Sequence, residues 1–287
     1  MIEGVLMRGS KYLAVAMRDP AGKIHIQTEK LQGLYTSKIA KIPFLRGLVI
    51  LWDALGLGTK YLTVSANLQT GEDEKIEGPA LYGTLIVSFV IAIALFFLAP
   101  AGVAALFSKW FAINPFLTNL IEGLIRLGLV ILYIWAVGRM ADIRRVFSYH
   151  GAEHKTINAF EAGVELTSEN VQSFSLRHPR CGTGFILILV IFSVILFSLL
   201  GPMPNIAVRL ASRVVLLPVL VMVAYEYMRF TANHLDNPFF RALAYPSLAM
   251  QRLTTFEPSL DILEVAIASF KAMYELENPP IDDESKN

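Results

Sequence analysis

The sequence predicts a mainly α-helical integral membrane protein, a bundle of four transmembrane helices with a small cytoplasmic part that includes an N-terminal β-hairpin. Three observations carry that prediction. Hydrophobic residues make up 54% of the 287-residue chain and charged residues only 17%, a poorer surface than a water-exposed domain carries. Four runs of roughly twenty residues are apolar with few charges, the length a hydrocarbon core requires. Upstream of them, apolar and polar residues alternate on both sides of Asp19-Pro20-Ala21-Gly22-Lys23, the two-residue period of strands around a turn.

Taken in order, Tyr12, Ala14 and Ala16 before that turn and Ile24 and Ile26 after it predict the hairpin over residues 12–30. Residues 1–10 carry Glu3 and Arg8 and lack a basic stretch followed by a continuous apolar one, so no cleavable signal peptide is expected. Residues 31–41 read as a connector. Residues 44–62 are apolar but interrupted by Arg46, Asp53 and Lys60, with Trp52 and Tyr61 suited to an interface, which predicts an interfacial or packed helix. The acidic stretch 71–77 reads as a loop. The first span covers residues 80–100, and residues 101–119 are expected to loop on the outer side. The second span, 120–138, holds Glu122 and Arg126 at the i,i+4 spacing of an ion pair. The third, 185–200, ends in a turn at 201–205; the fourth, 206–227, contains Arg209, Arg213 and a kinking Pro218. Two further helices are expected near 239–253 and 260–274, then a disordered polar tail.

This divides the chain into residues 1–79 (cytoplasmic hairpin and interfacial helix), 80–138 (spans one and two), 139–183 (a cytoplasmic loop), 184–228 (spans three and four) and 229–287 (cytoplasmic helices and tail). Orientation follows from the basic residues: ten precede residue 80, six lie between 139 and 181 and five follow 227, against one in 101–119. Both termini are therefore expected on the cytoplasmic side of a bacterial inner membrane, with the lipid bilayer as the first partner. A net charge of +1 gives no reason to expect a nucleic-acid partner, and the single cysteine, Cys181, excludes an internal disulfide. The apolar face of the last helix, with Leu263, Ala266, Ile267 and Phe270, needs a cover: the hairpin, the 139–183 loop, or a second copy in a homo-oligomer.

The chemistry concentrates at His150, Glu153 and His154, an H-x-x-E-H pattern. On a helix, residues four apart lie one above the other, so two imidazoles can meet one divalent cation, zinc first, with Glu153 beside it as general base. The inverted zinc peptidases use the same order and take a third ligand from a Glu on a later helix, the position Glu226 offers here. Glu161, His178 and Cys181 are rival ligands, and Lys155, Arg177 and Arg180 are candidates to hold an anionic group of a peptide or lipid substrate. The alternative reading of the two histidines is core packing with backbone hydrogen bonds, and that of Cys181 a small residue at the membrane surface. Gly151, inside the motif, is expected to weaken or partly unwind the helix.

Several segments together resemble a bacterial membrane-protein family of unknown function, domain of unknown function 1385. They are Ile2-Glu3-Gly4-Val5-Leu6-Met7-Arg8-Gly9, residues 149–155, residues 178–182, Leu253-Thr254-Thr255-Phe256-Glu257-Pro258 and Glu264-Val265-Ala266. The resemblance implies a membrane-embedded architecture, a metal-dependent activity, and His150, Glu153, His154, Cys181 and Glu226 as motif positions. The expected function is a zinc-type hydrolase at the cytoplasmic membrane face, a peptidase by analogy. Two alternatives stand beside it: a non-enzymatic scaffold or assembly factor with a structural Cys/His site, and a transporter using Glu122, Arg126, Arg209 and Arg213.

Overall fold

The computed structural model describes residues 1–70, 78–201 and 205–279. Its N-terminal part is an antiparallel meander of β1 (Gly4–Arg8), β2 (Tyr12–Arg18) and β3 (Ile24–Lys30). The expected hairpin is β2 and β3, closed by Asp19, which accepts from the Lys23 backbone N–H at 2.9 Å, and by Gly22 at φ +88°. The correction is β1, which pairs along the other edge of β2, Val5 opposite Ala16 and Met7 opposite Ala14. A five-residue, mostly apolar run carries little periodic signal, so only the partner strand reveals it.

As central strand, β2 is buried on both faces. Ala14 and Ala16, with Val5 and Met7, pack under α10 (Leu260–Glu277); Leu13, Val15 and Met17 face Leu57 and Tyr61 of α1 (Leu45–Gln69). The small alanines let α10 come close enough for the Ser269 hydroxyl to lie 3.0 Å from the carbonyl oxygens of both Val5 and Ala14. On its far side α10 takes Tyr149, Ala152 and Ala159 of α5 (Ala141–Glu161) into the same core. Leu263 is fully buried there and contributes roughly 2 kcal/mol. The cover that the last helix needs is thus the sheet and α5, and α1 is the packed helix that the sequence predicts.

Among the described residues, four helices are long and apolar enough to cross a membrane, within Tyr82–Phe111, Pro115–Val137, Gly182–Leu199 and Ala211–Ala232. The first is one continuous rod: α2 (Gly78–Ile93), a π-type turn (Ala94–Leu98) and α3 (Ala99–Phe111). This corrects the outer loop expected at 101–119, since three residues separate α3 from α4 (Pro115–Val137). Pro100 looks like a stop signal but is accommodated by the wider turn before it. The Phe96 carbonyl, four residues earlier, accepts instead from Arg126 Nε at 3.0 Å. A neighbouring span thereby satisfies the group that proline leaves free.

Arg126 also meets Glu122 at 2.8 Å, and Arg213 of α8 (Ile206–Ala232) lies 3.8 Å from the same carboxylate. All three are buried, so the bundle neutralises its own interior charge. α4 and α7 (Gly182–Leu199) approach at Gly123, where a Cβ would stand 2.5 Å from Val194 Cγ2. After α8, α9 (Pro238–Met250) and a 3-10 turn (Gln251–Leu253) lead into an extended segment before α10. Between α5 and α7 sits the short α6 (Ser168–Gln172). The acidic loop at 71–77, residues 202–204 of the expected turn and the tail from 280 lie outside the described residues.

Candidate functional site

α5 runs unbroken through the H-x-x-E-H segment, so the unwinding expected at Gly151 does not occur. The glycine is a crossing point. A Cβ there would stand 2.3 Å from the Phe256 carbonyl oxygen and 2.9 Å from Leu176 Cδ2. Both segments that press on Gly151 deliver an acceptor to a histidine: His150 Nδ1 donates to the Thr254 carbonyl at 2.9 Å, and His154 Nδ1 to the Leu176 carbonyl at 2.6 Å. A carbonyl only accepts, so each Nδ1 carries a proton, and Nε2 is the ring nitrogen left to meet another partner.

The two rings lie 4.4 Å apart, centroid to centroid, on successive turns of one helix face. Cys181, the residue before α7, brings its Sγ to 3.3 Å from His150 Nε2. One ligand atom each from His150, His154 and Cys181 lie within 4.8 Å of one another, a set that one cation can bridge. Their electrostatics are mutually dependent. Burial alone would raise the Cys181 thiol, but the two imidazoles beside it bring it down to about 5. Burial would lower His150, yet the sulfur and Glu153 push it up to about 9.

Glu153 is partly buried and, with His150, lines a cavity of about 760 Å³ between β1, α1, α5 and α10. Val5, Leu57, Phe147, Ile157 and Met273 make most of that wall apolar. Burial pushes the Glu153 carboxyl above its ordinary value, while His150 and His154 pull the other way. A carboxyl so placed holds a proton more readily than a surface glutamate does.

The remaining expected residues divide. Glu226 does not join the cluster: its carboxylate accepts from Arg46 Nε at 2.6 Å and from the Phe44 backbone N–H at 3.0 Å. The third atom of the set is a thiol sulfur instead. The reason is tertiary, because Gly47 lets α1 lie flat on α8 beside Tyr225 and Arg46 then meets Glu226 directly. His178 is buried with its ring 5.7 Å from that of His154, and it stays outside the three-residue set. Its backbone is clamped on both sides by Gln251, at 2.9 and 2.8 Å. Burial, then His154 and Arg180, lower its imidazole to about 4, so it is neutral near pH 7. Glu161 pairs with Arg180 at 3.2 Å. Lys155, expected as a substrate contact, has its Nζ buried and bonded to the Gln172 carbonyl at 2.5 Å and Glu257 at 2.6 Å. Arg177 is exposed and lines neither this cavity nor its neighbour at Arg180.

All of these side chains fall within residues 42–276, the stretch matched by the family described as Protein of unknown function (DUF1385). This chain belongs to the DUF1385 family. A family relative, Uncharacterized protein YqhQ of Bacillus subtilis (strain 168), is 36% identical over 294 aligned positions, which cover 96% of this chain and 91% of that protein. No solved structure matches the chain.

Within this DUF1385 member, sequence reasoning missed the Thr254 and Leu176 carbonyls and the Gln251 clamp. Backbone acceptors leave no mark on residue identity. The signal that could have found the crossing was Gly151 itself, a helix-weakening residue in the middle of a functional pattern.

Proposed function

We propose that this protein is a metal-dependent hydrolase at the cytoplasmic face of a bacterial membrane, with His150, His154 and Cys181 holding a divalent cation, zinc by ligand type, and Glu153 as general base. The observation that carries the reading is the convergence of those three ligand atoms within 4.8 Å beside a 760 Å³ cavity that His150 and Glu153 both line. Three protein ligands leave a coordination position open, the mark of a catalytic rather than a structural site. A mixed nitrogen and sulfur set suits zinc.

A bound cation supplies a more acidic water and an electrophile for a carbonyl or phosphoryl oxygen. The chain's own groups do the rest. The Thr254 and Leu176 carbonyls hold both imidazoles by Nδ1, so Nε2 is the atom each would offer a cation. Glu153 takes the proton on its carboxylate, where burial has already raised its affinity for one. The mostly apolar walls lower the local polarity around His150 and Glu153, which strengthens charge interactions there. The excess of Lys and Arg in residues 1–79, 139–183 and 228–287 supports the cytoplasmic orientation. Substrates with a peptide or lipid ester bond fit this chemistry.

One observation favours the scaffold reading. Among the described residues His178 Nε2 is buried without a hydrogen-bond partner, its ring is 5.7 Å from that of His154, and a rearrangement that turned it into the set would add a fourth ligand and close the site. The test is Glu153→Gln in detergent-purified protein, assayed on panels of peptide and lipid-ester substrates. The hydrolase reading predicts unchanged metal content and a rate at least about a hundredfold lower. Equal rates in both proteins, or no hydrolysis by the wild type, would favour the structural site.

A further inference from the structure

A second cavity, of about 540 Å³, adjoins the first along α1, and Ile50 and Ala54 line both. Its lining joins the start of α7 to the end of α8 and includes Phe185 and Tyr225 together with Arg180 and Arg229. Those are the ends of two helices long and apolar enough to cross a membrane, so the cavity lies at the boundary between hydrocarbon and water. Among the described residues, no carboxylate lines it. Glu226, three residues before Arg229, is hydrogen-bonded to Arg46 and feels Arg229 only through its charge. Arg180 shares its charge with Glu161 at 3.2 Å, but both side chains are about half exposed, and such a pair yields easily to a stronger anion.

The second cavity therefore presents two guanidinium groups at the membrane surface, and across the shared wall of Ile50 and Ala54 lies the mostly apolar cavity that His150 and Glu153 line. Basic pockets between helices at that depth bind anionic lipid headgroups, and Arg matches phosphate oxygens in pairs. We propose that the joined cavities bind an anionic phospholipid, its phosphate between Arg180 and Arg229 and an apolar chain under α1 reaching toward Glu153. Binding stands on the two cavities alone; that the lipid is also the substrate class rests on the hydrolase reading above.

The experiment is native mass spectrometry of the full chain in detergent micelles doped with phosphatidylglycerol or with phosphatidylcholine, with metal content measured on the same samples. Wild type is expected to retain phosphatidylglycerol in preference to phosphatidylcholine. Arg180→Ala/Arg229→Ala should lose at least about tenfold of that retention. Ala54→Trp, which fills the shared wall from an exposed position, should lose it with the arginines intact. Inorganic phosphate serves as competitor. Displacement of the lipid by millimolar phosphate alone would assign the arginines to a free anion. Equal retention of both lipids, or retention unchanged in either variant, would overturn the proposal. Loss of metal with lipid retention intact would count against the hydrolase reading and leave the lipid site standing.

Discussion

At the scale of single residues, the candidate site depends on Gly151 as much as on His150, His154 and Cys181. The helix places His150 and His154 on one face, but their rings are aimed by carbonyls from two other segments that touch α5 only because residue 151 has no side chain. Gly151→Ala would gain helix propensity yet force the Phe256 backbone away, at a net cost of about 1–3 kcal/mol. Thr254 moves with it, so metal retention should fall roughly ten- to hundredfold. Thermal unfolding and metal titration of the variant check both, and wild-type values would show the crossing to be slack. This is also where the sequence was only half legible. The i,i+4 pair is local and can be read from spacing, whereas Cys181 arrives from another segment. Spacing pointed to Glu226, but the flat contact of α1 with α8 gives that carboxylate to Arg46.

At the scale of elements, the sheet is fastened to the site helix by Glu3. Its carboxylate accepts from Arg145 and, at 3.0 Å, from the Tyr149 hydroxyl, tying the start of β1 to α5 one turn before His150. Burial would raise the Glu3 carboxyl, but these hydrogen bonds outweigh it and hold the group below its ordinary 4.5. A carboxyl lowered by folding stabilises fully above that ordinary value and loses its contribution as pH falls through the lowered one. Wild type should therefore unfold about 2–4 °C above Glu3→Gln at pH 7, and the gap should close in acid. A gap independent of pH would mean that the carboxylate charge plays no part. The elements that sequence reasoning recovered, the β2–β3 hairpin, α1, α5, α9 and α10, have strong periodicity or a clear turn. Those it missed lack one: β1 is too short, and α3 was hidden because Pro100 reads as a terminator until Arg126 takes the Phe96 carbonyl.

At the scale of the whole molecule, two cores meet along α1, an aqueous one built on β2 and a membrane bundle held by packing and by the buried group of Glu122, Arg126 and Arg213. Glu122→Gln leaves two guanidinium groups in an apolar bundle with one anion removed, and thermal unfolding in detergent should show a loss of about 3–5 kcal/mol. A near-neutral result would mean that water or lipid phosphate reaches these arginines. Because α1 packs on both cores, the candidate site stands at their junction, beside the membrane and still roofed by the sheet. The measurement that tests this account most directly is elemental analysis of protein purified without chelator. Wild type and Glu226→Gln should each carry about one divalent metal per chain, while Cys181→Ser and His150→Ala/His154→Ala should carry little. Metal-free wild type, or metal that survives Cys181→Ser and disappears with Glu226→Gln, would contradict it.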